Sequence, residues 1–274
     1  MLTLLRKVRR SLVASNQFRK YLLYAIGEIA LVVIGILIAL QINNWNQDRI
    51  NNKTEKDILE RIIADLEIDL SELAISGQFN EQRIIRGVWV LQQLGEDVDE
   101  IRTWDIYSKA IRNPENDAIE MGTFGRALMA IRFYFLFEES NITIQEITAT
   151  GKLDIIKDGD VRIAIQAHYA YVDRLQYLQR LLLLNRDEFV EYLLDNEVSI
   201  LNNLTLEEVL DKVGNHKKLA ARIKNFLDAT RATYNRVSGA YDTMLDDNII
   251  RDDDSIKKRT QVLIGRIQHY LGEF

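Results

Sequence analysis

Glu28 has the most distinctive chemical setting in the chain, because it is the one charged residue in the apolar run YLLYAIGEIALVVIGILIAL of residues 21–40. A carboxylate in the hydrocarbon region of a bilayer is costly unless it is protonated, paired or turned toward protein. Glu28 is therefore neutral and hydrogen-bonded locally, extended to the membrane interface, engaged in a helix–helix contact, or a carrier of protons. Gly35 and Ala39 form a small-xxx-small pair that lets another helix approach closely. We predict a membrane helix contact or protonatable site at Glu28, Gly35 and Ala39.

Residues that carry catalysis in known motifs do not occur at the required spacings. The three histidines, His168, His216 and His269, are far apart, and none follows a glutamate by three residues as in the di-iron sites of helical bundles. The chain has no His-Glu-x-x-His zinc motif, no Gly-x-Ser-x-Gly elbow and no Gly-Lys-Ser/Thr phosphate loop. Cysteine is absent, which removes thiolate chemistry. We predict no catalytic residue, no cofactor, no metal and no enzymatic activity.

Two groups of acidic residues resemble sites but have simpler interpretations. The stretch DDNIIRDDD of residues 246–254 offers clustered oxygens to a cation, yet it lacks the glycine and terminal glutamate of an EF-hand. We predict a solvated loop whose last aspartates cap a helix that starts near Ser255. Glu188, Glu191 and Asp195 share one helical face, which we predict to be solvated.

The apolar run is predicted to be a membrane anchor that spans residues 21–44. Twenty helical residues rise about 30 Å, which matches the hydrocarbon core of a bilayer. A cleavable signal peptide is one alternative, but its apolar stretch is shorter and ends at a small-x-small site. This run instead continues into Gln41 and Ile42. A buried core helix of a soluble protein is the other alternative.

Charge is distributed unevenly along the chain, which predicts the orientation of the anchor. The whole chain has 35 Lys+Arg and 41 Asp+Glu, for a net charge of -6, whereas residues 1–20 contain basic residues and no acid. Because basic flanks stay in the cytoplasm, we predict a cytoplasmic tail over residues 1–20 and a periplasmic domain over residues 45–274. The lipid bilayer, rather than nucleic acid, is the expected partner of the six basic residues Arg6, Lys7, Arg9, Arg10, Arg19 and Lys20.

The anchor block is also recognisable as a whole. The run RKVRRSLVASNQFRKYLLYAIGEIALVVIGILIALQINNWNQDR resembles an uncharacterised family of single-span membrane proteins from the Bacteroidota. A second stretch, TFGRALMAIR followed by ITATGKLDIIKDGDVRIAIQAHYAYVD, is similar to an internal signature of that family. The resemblance implies a protein of a Gram-negative inner membrane, and it brings no catalytic residues to this chain.

Beyond the anchor, apolar residues recur at helical spacing, and glycine and proline are few. A helix is predicted over 45–94, with a heptad seam suggestive of a coiled coil that runs in phase with the anchor, so that both are expected to form one helix. Further helices are predicted over 103–112, 119–137, 142–150, 160–195, 206–213, 216–245 and 255–271. The best strand signal, at 133–137, is weak. The predicted fold class is all-α: one N-terminal transmembrane helix continuing into a helical-bundle ectodomain. The seam residues are Leu59, Ile63, Leu66, Leu70 and Leu73.

Two functions remain compatible with this organisation. The first is a non-enzymatic, membrane-anchored interaction or scaffold module of the cell envelope, with a homo-oligomer or a membrane or envelope protein as partner. The second is an accessory subunit of an ion-driven inner-membrane complex, in which Glu28 is an intramembrane carboxylate. A two-component sensor is disfavoured because about 20 cytoplasmic residues are too few for an output domain.

Overall fold

A computed structural model describes residues 17–199, 203–238 and 255–273, and these residues form helices and connecting segments without a strand. The chain divides into two compact units, Met1–Lys56 and Asp57–Phe274. The first helix, α1, is Gln17–Gln93, and the boundary between the units falls inside it. The prediction that the apolar run and the segment after it form one helix is confirmed.

The apolar part of α1 is exposed along its length. Within the described residues, α1 is the one helix long and apolar enough to cross a membrane. Its large apolar side chains from Leu22 to Ile42 are 47–74% exposed. In a core helix of a soluble protein such side chains are mostly buried, whereas here these side chains are exposed.

The second unit contains the rest of α1 and eight further α-helices among the described residues. Residues of α6 contact both α8 and α9, and α8 also contacts α9. Two short 3₁₀ helices, Pro114–Asn116 and Lys152–Ile155, lie in the connections. The α-helices are α2 (Asp99–Thr103), α3 (Asp105–Ala110), α4 (Phe124–Ala130), α5 (Ile142–Ala149), α6 (Gly159–Asp195), α7 (Leu206–Val213), α8 (His216–Ser238) and α9 (Ile256–Leu271).

Among the described residues of this unit, the apolar core consists of three clusters. Residues Ile58–Leu66 of α1 pack with α5, the first half of α6 and α9, whereas Ile84–Leu91 pack with α2, α3, α4, α7, α8 and the second half of α6. Leu73 lies in a smaller cluster between them. Leu59, Leu66 and Leu73 of the heptad seam are buried by the chain's own helices.

Several helix ends follow the sequence closely. Thr205 and Glu208 form a capping box at the start of α7: the Glu208 carboxylate accepts the backbone N–H of Thr205 at 2.8 Å, and the Thr205 hydroxyl accepts the backbone N–H of Glu208 at 3.3 Å. Gly214 ends α7 at a φ of 62°, where a side chain would be strained. The cap of α9 differs from prediction: the hydroxyl of Ser255 accepts the backbone N–H of Lys258.

Two predicted helices are wrong in extent. The helix predicted over 103–112 is interrupted at Trp104, whose ψ of 137° is extended. The helix predicted over 119–137 is reduced to α4, and residues 131–141, here called the extended segment, are neither helix nor strand. The weak strand signal at 133–137 is wrong as well, because side chains of α1 and α6 bond the backbone of this segment and no neighbouring strand does so.

Candidate functional site

The predicted membrane site lies on the exposed part of α1. Glu28, Gly35 and Ala39 are all exposed, and a Cβ atom added at Gly35 would meet nothing within 4 Å. Gly35 is therefore free to accept a neighbouring helix or lipid.

The six basic residues predicted to set the orientation lie mostly outside the described part of the chain. Arg19 is exposed on the first turn of α1, and Lys20 belongs to the same helix. The other four basic residues lie outside the described residues: Arg6, Lys7, Arg9 and Arg10. The acidic stretch 246–254 lies outside them as well.

The three histidines differ in their exposure to solvent. His216 and His269 are exposed, whereas His168 is buried in α6 with 4% of its surface exposed. Glu188, Glu191 and Asp195 are exposed, as predicted for a solvated face. No group of three His, Cys, Asp or Glu side chains in the described part of the chain is placed to hold a metal ion.

A row of buried polar residues on α1, which sequence reasoning missed, is the most distinctive feature of the second unit. Starting from the buried Ile62 and Leu66, spacings of three and four residues reach side chains that are each at most 2% exposed. We call this row the polar stripe of α1, and its members are Asp69, Ser76, Asn80 and Arg83. The signal was available in the sequence, because this row shares Leu66 and Leu73 with the predicted seam and continues at the same spacing through polar residues.

The acidic end of the polar stripe binds the backbone of the extended segment. Asp69 Oδ1 accepts the backbone N–H of Ser140 at 2.7 Å. Four residues earlier on α1, Asp65 accepts the Ser140 hydroxyl at 3.1 Å and the backbone N–H of Thr143 at 3.2 Å. These bonds join α1 to the start of α5, where free backbone N–H groups favour a negative charge.

Burial strongly perturbs the acid at this end. It raises the pKa of Asp69 to about 7, and the carboxylates of Glu139, Glu72 and Asp65 add to the rise, while the bond from Ser140 opposes it. Burial also raises the pKa of Glu139. One oxygen of Asp69 and one of Glu139 are buried without a hydrogen-bond partner among the described residues. Asp69 therefore titrates near neutral pH, where few carboxylates do.

The basic end of the polar stripe is Arg83, whose guanidinium is 1% exposed. It donates to the carbonyl of Ile131 at 3.0 Å, to that of Phe133 at 2.6 Å and to the side-chain oxygen of Asn80 at 2.7 Å. The ring of Phe226 lies 4.8 Å from its central carbon. Burial lowers the pKa of Arg83 to about 9, so it remains charged at pH 7. Its positive charge faces the carbonyl end of α4, which the helix dipole favours.

The middle of the extended segment is bonded from both sides. The Ser76 hydroxyl donates to the carbonyl of Phe135 at 3.3 Å, and the Gln179 amide of α6 donates to that of Phe137 at 3.2 Å. Because the backbone groups of this segment are satisfied by side chains, it needs neither a helix nor a strand. The outcome is a fixed, irregular segment.

Two aromatic side chains of the extended segment point away from the core. Phe133 is 49% and Tyr134 is 38% exposed. Guanidinium groups lie near both rings: that of Arg132 is 5.2 Å from the Phe133 centroid, and that of Arg186 is 5.1 Å from the Tyr134 centroid. Phe137, by contrast, is buried. The extended segment therefore exposes Phe133 and Tyr134 and buries Phe137.

Comparison with known proteins gives one match. No curated protein sequence and no solved structure matches the chain. The internal stretch that resembles a family signature, which begins at Thr123, lies outside the region that does match. That region, residues 28–98, contains Glu28, Gly35 and the polar stripe of α1, and it matches the sequence family described as Family of unknown function (DUF6090).

Proposed function

We propose that this protein is a single-pass protein of the inner membrane whose helical periplasmic domain is a non-enzymatic interaction module. The exposed apolar surface from Leu22 to Ile42 supports the anchor, because so much apolar surface is rarely left to water. The basic tail supports a cytoplasmic N-terminus. The chain is then a member of a Bacteroidota family of single-span membrane proteins, with residues 45–274 forming a helical bundle in the periplasm.

The pair of exposed aromatic residues carries the interaction role. Phe133 and Tyr134 lie on a segment whose backbone is held by Arg83 and Asp69, so little conformational entropy remains to be lost on binding. Aromatic and arginine side chains dominate the energetic centres of protein interfaces. The aromatic pair, with Arg132 and Arg186 beside it, is therefore the proposed contact surface for a second copy or another envelope protein.

Pull-down from gentle detergent extracts tests this role. The partners that co-purify with the full-length protein are compared with those of a Phe133→Ala, Tyr134→Ala double variant, and we expect the specific partner to be lost. Tyr177→Ala is the matched control, because Tyr177 is an aromatic residue of α6 with 59% of its surface exposed. Equal recovery with the double variant and the control would refute the proposed surface.

Reporter fusions test the anchor and its orientation. A reporter that is active only in the periplasm should work after Trp45 or at Phe274, and it should be inactive before Phe18. Activity of a cytoplasmic reporter at Phe274 would contradict the proposed orientation.

The exposed position of Glu28 favours a second candidate function. The side chain lies on the apolar surface of α1, where a channel subunit would supply the polar partner that a carboxylate needs. In that case the protein is an accessory subunit of an ion-driven membrane complex. Glu28→Gln keeps the shape but removes the titratable proton, so it should abolish the activity of such a complex and leave a plain interaction module nearly unaffected.

A further inference from the structure

A cleft between α6 and α9, away from the polar stripe and the aromatic pair, has the features of a ligand site. Its volume is about 370 Å³, within the range of small-molecule sites. Ala164 and Ala167 of α6 form one wall, and their short side chains leave the space open. Val262 and Leu263 of α9 add apolar surface opposite.

Positive charge lies along the α9 side of the cleft. Lys258, Arg259 and Arg266 line it within about two turns of helix, and no acidic residue is part of the lining. Lys258 and Arg266 are exposed, which leaves their charged groups able to turn toward a ligand. A lining that combines cations with apolar surface matches a molecule with an anionic head and an apolar group.

His168 closes the inner side of the cleft and has an unusual environment. Both ring nitrogens are buried, and neither has a hydrogen-bond partner among the described residues. Burial, with a contribution from Arg259, lowers the pKa of His168 to about 4, so the ring is neutral at pH 7. A neutral imidazole offers one donor and one acceptor, and leaving both unused in the interior is costly. A rotation of the ring toward the cleft would give it a ligand atom as partner.

We propose that this cleft binds a small organic anion that carries an apolar group, such as a monoalkyl phosphate. Lys258 and Arg266 contact the anionic head, His168 donates a hydrogen bond to an oxygen of that head, and the walls formed by Ala164, Ala167 and Val262 accept the apolar group. The site gives the proposed interaction module a ligand. It depends on that proposal only for its biological setting, because binding is measured without any protein partner.

Calorimetric titration of the full-length protein in phosphatidylcholine nanodiscs tests the chemistry of the site. Hexyl phosphate is the probe, and inorganic phosphate and hexanol each represent one half of it. We expect hexyl phosphate to bind at least tenfold more tightly than either half, because each half makes only part of the contacts. Equal binding of inorganic phosphate or of hexanol would overturn the proposal, as would no heat of binding above that of empty nanodiscs.

Matched variants locate the site. Ala167→Leu fills the cleft and should weaken hexyl phosphate binding at least tenfold, whereas Ala170→Leu, at an exposed position outside the lining, should leave it unchanged. Lys258→Ala and Arg266→Ala should each weaken binding about tenfold, the loss expected for one charged hydrogen bond. Lys217→Ala, at an exposed position on α8, is the charge control. Equal binding by Ala167→Leu and Ala170→Leu would place the ligand elsewhere and refute the site.

The source of the anion is distinguished by the lipid composition. If the natural ligand is a lipid headgroup, phosphatidylglycerol added to the nanodiscs should weaken the apparent affinity for hexyl phosphate by competition. An unchanged affinity would assign the site to a free organic anion. Both outcomes presuppose that hexyl phosphate binds in the cleft. If it does not bind there, the cleft proposal fails, whereas the reporter and pull-down tests of the proposed module are unaffected.

Discussion

Replacing Asp69 by asparagine should stabilise the protein at neutral and alkaline pH. Asp69 is 1% exposed, and its raised pKa means that ionisation in the folded state is costly. The asparagine carbonyl oxygen keeps the acceptor for the backbone N–H of Ser140 and carries no charge. The new amide group replaces an oxygen that has no hydrogen-bond partner among the described residues, and it lies near Asp65 and Glu139, whose carboxylates accept hydrogen bonds.

The magnitude follows from the pKa of Asp69. The pKa rises from 3.8 to about 7, roughly three units, and each unit is worth about 1.4 kcal/mol. The folded state therefore holds one more proton than the unfolded state between about pH 4 and pH 7. That proton stabilises the fold at low pH, and its contribution is lost as the pH rises through about 7. Above pH 8 the free energy of unfolding of the wild-type protein is therefore lower by up to about 4 kcal/mol than it would be with a neutral Asp69. Asp69→Asn should largely restore this difference.

Urea unfolding of the full-length protein in a neutral detergent, at pH 5 and pH 8, measures the effect. We expect Asp69→Asn to exceed the wild type in free energy of unfolding by about 2–4 kcal/mol at pH 8, with a smaller difference at pH 5. Asp195→Asn is the control, because Asp195 is exposed on α6 and its replacement should have a small effect at both pH values. If Asp69→Asn destabilises the protein equally at pH 5 and pH 8, Asp69 is ionised throughout and the reasoning fails.

Three further predictions concern stability measured by thermal or urea unfolding. Arg83→Met should cost at least about 3 kcal/mol, because the carbonyls of the extended segment lose their donor, and a loss under 1 kcal/mol would contradict this. Gly77→Ala should raise the free energy of unfolding by up to about 1 kcal/mol, because the new Cβ lies 3.6 Å from its nearest neighbour. Gly87→Ala should lower it, because the new Cβ would lie 2.6 Å from the side chain of Leu227, and the reverse order of the two variants would be evidence against this packing. Thr205→Ala should cost about 1 kcal/mol by removing the capping box of α7, and an unchanged midpoint would show the cap to be unimportant.

Local features of the chain were predictable because they depend on neighbours in sequence. The long apolar part of α1 corresponds to residues 21–40, which contain a single charged residue. The ends of α7 depend on Thr205, Glu208 and Gly214, which lie within or next to that helix. One helix through residues 21–44 and 45–94 was predicted because the heptad seam runs in phase through both, and the observed helix is Gln17–Gln93. The all-helical character likewise follows from apolar periodicity over many residues.

The tertiary structure alone decided the fate of residues 131–141 and the chemistry of the polar stripe. Local sequence predicts a helix as far as residue 137, but Arg83 and Asp69 bond backbone groups of this segment instead. These two residues lie some 50 and 70 residues earlier in the chain. The pKa of Asp69 depends on burial, which arises from helices that are distant in sequence. The cleft beside His168 likewise exists because α6 and α9 pack with short side chains between them. The conformation of the extended segment, the pKa of Asp69 and the cleft all depend on contacts between helices that are distant in sequence. Those contacts are set by the packing of the whole unit rather than by any local sequence pattern.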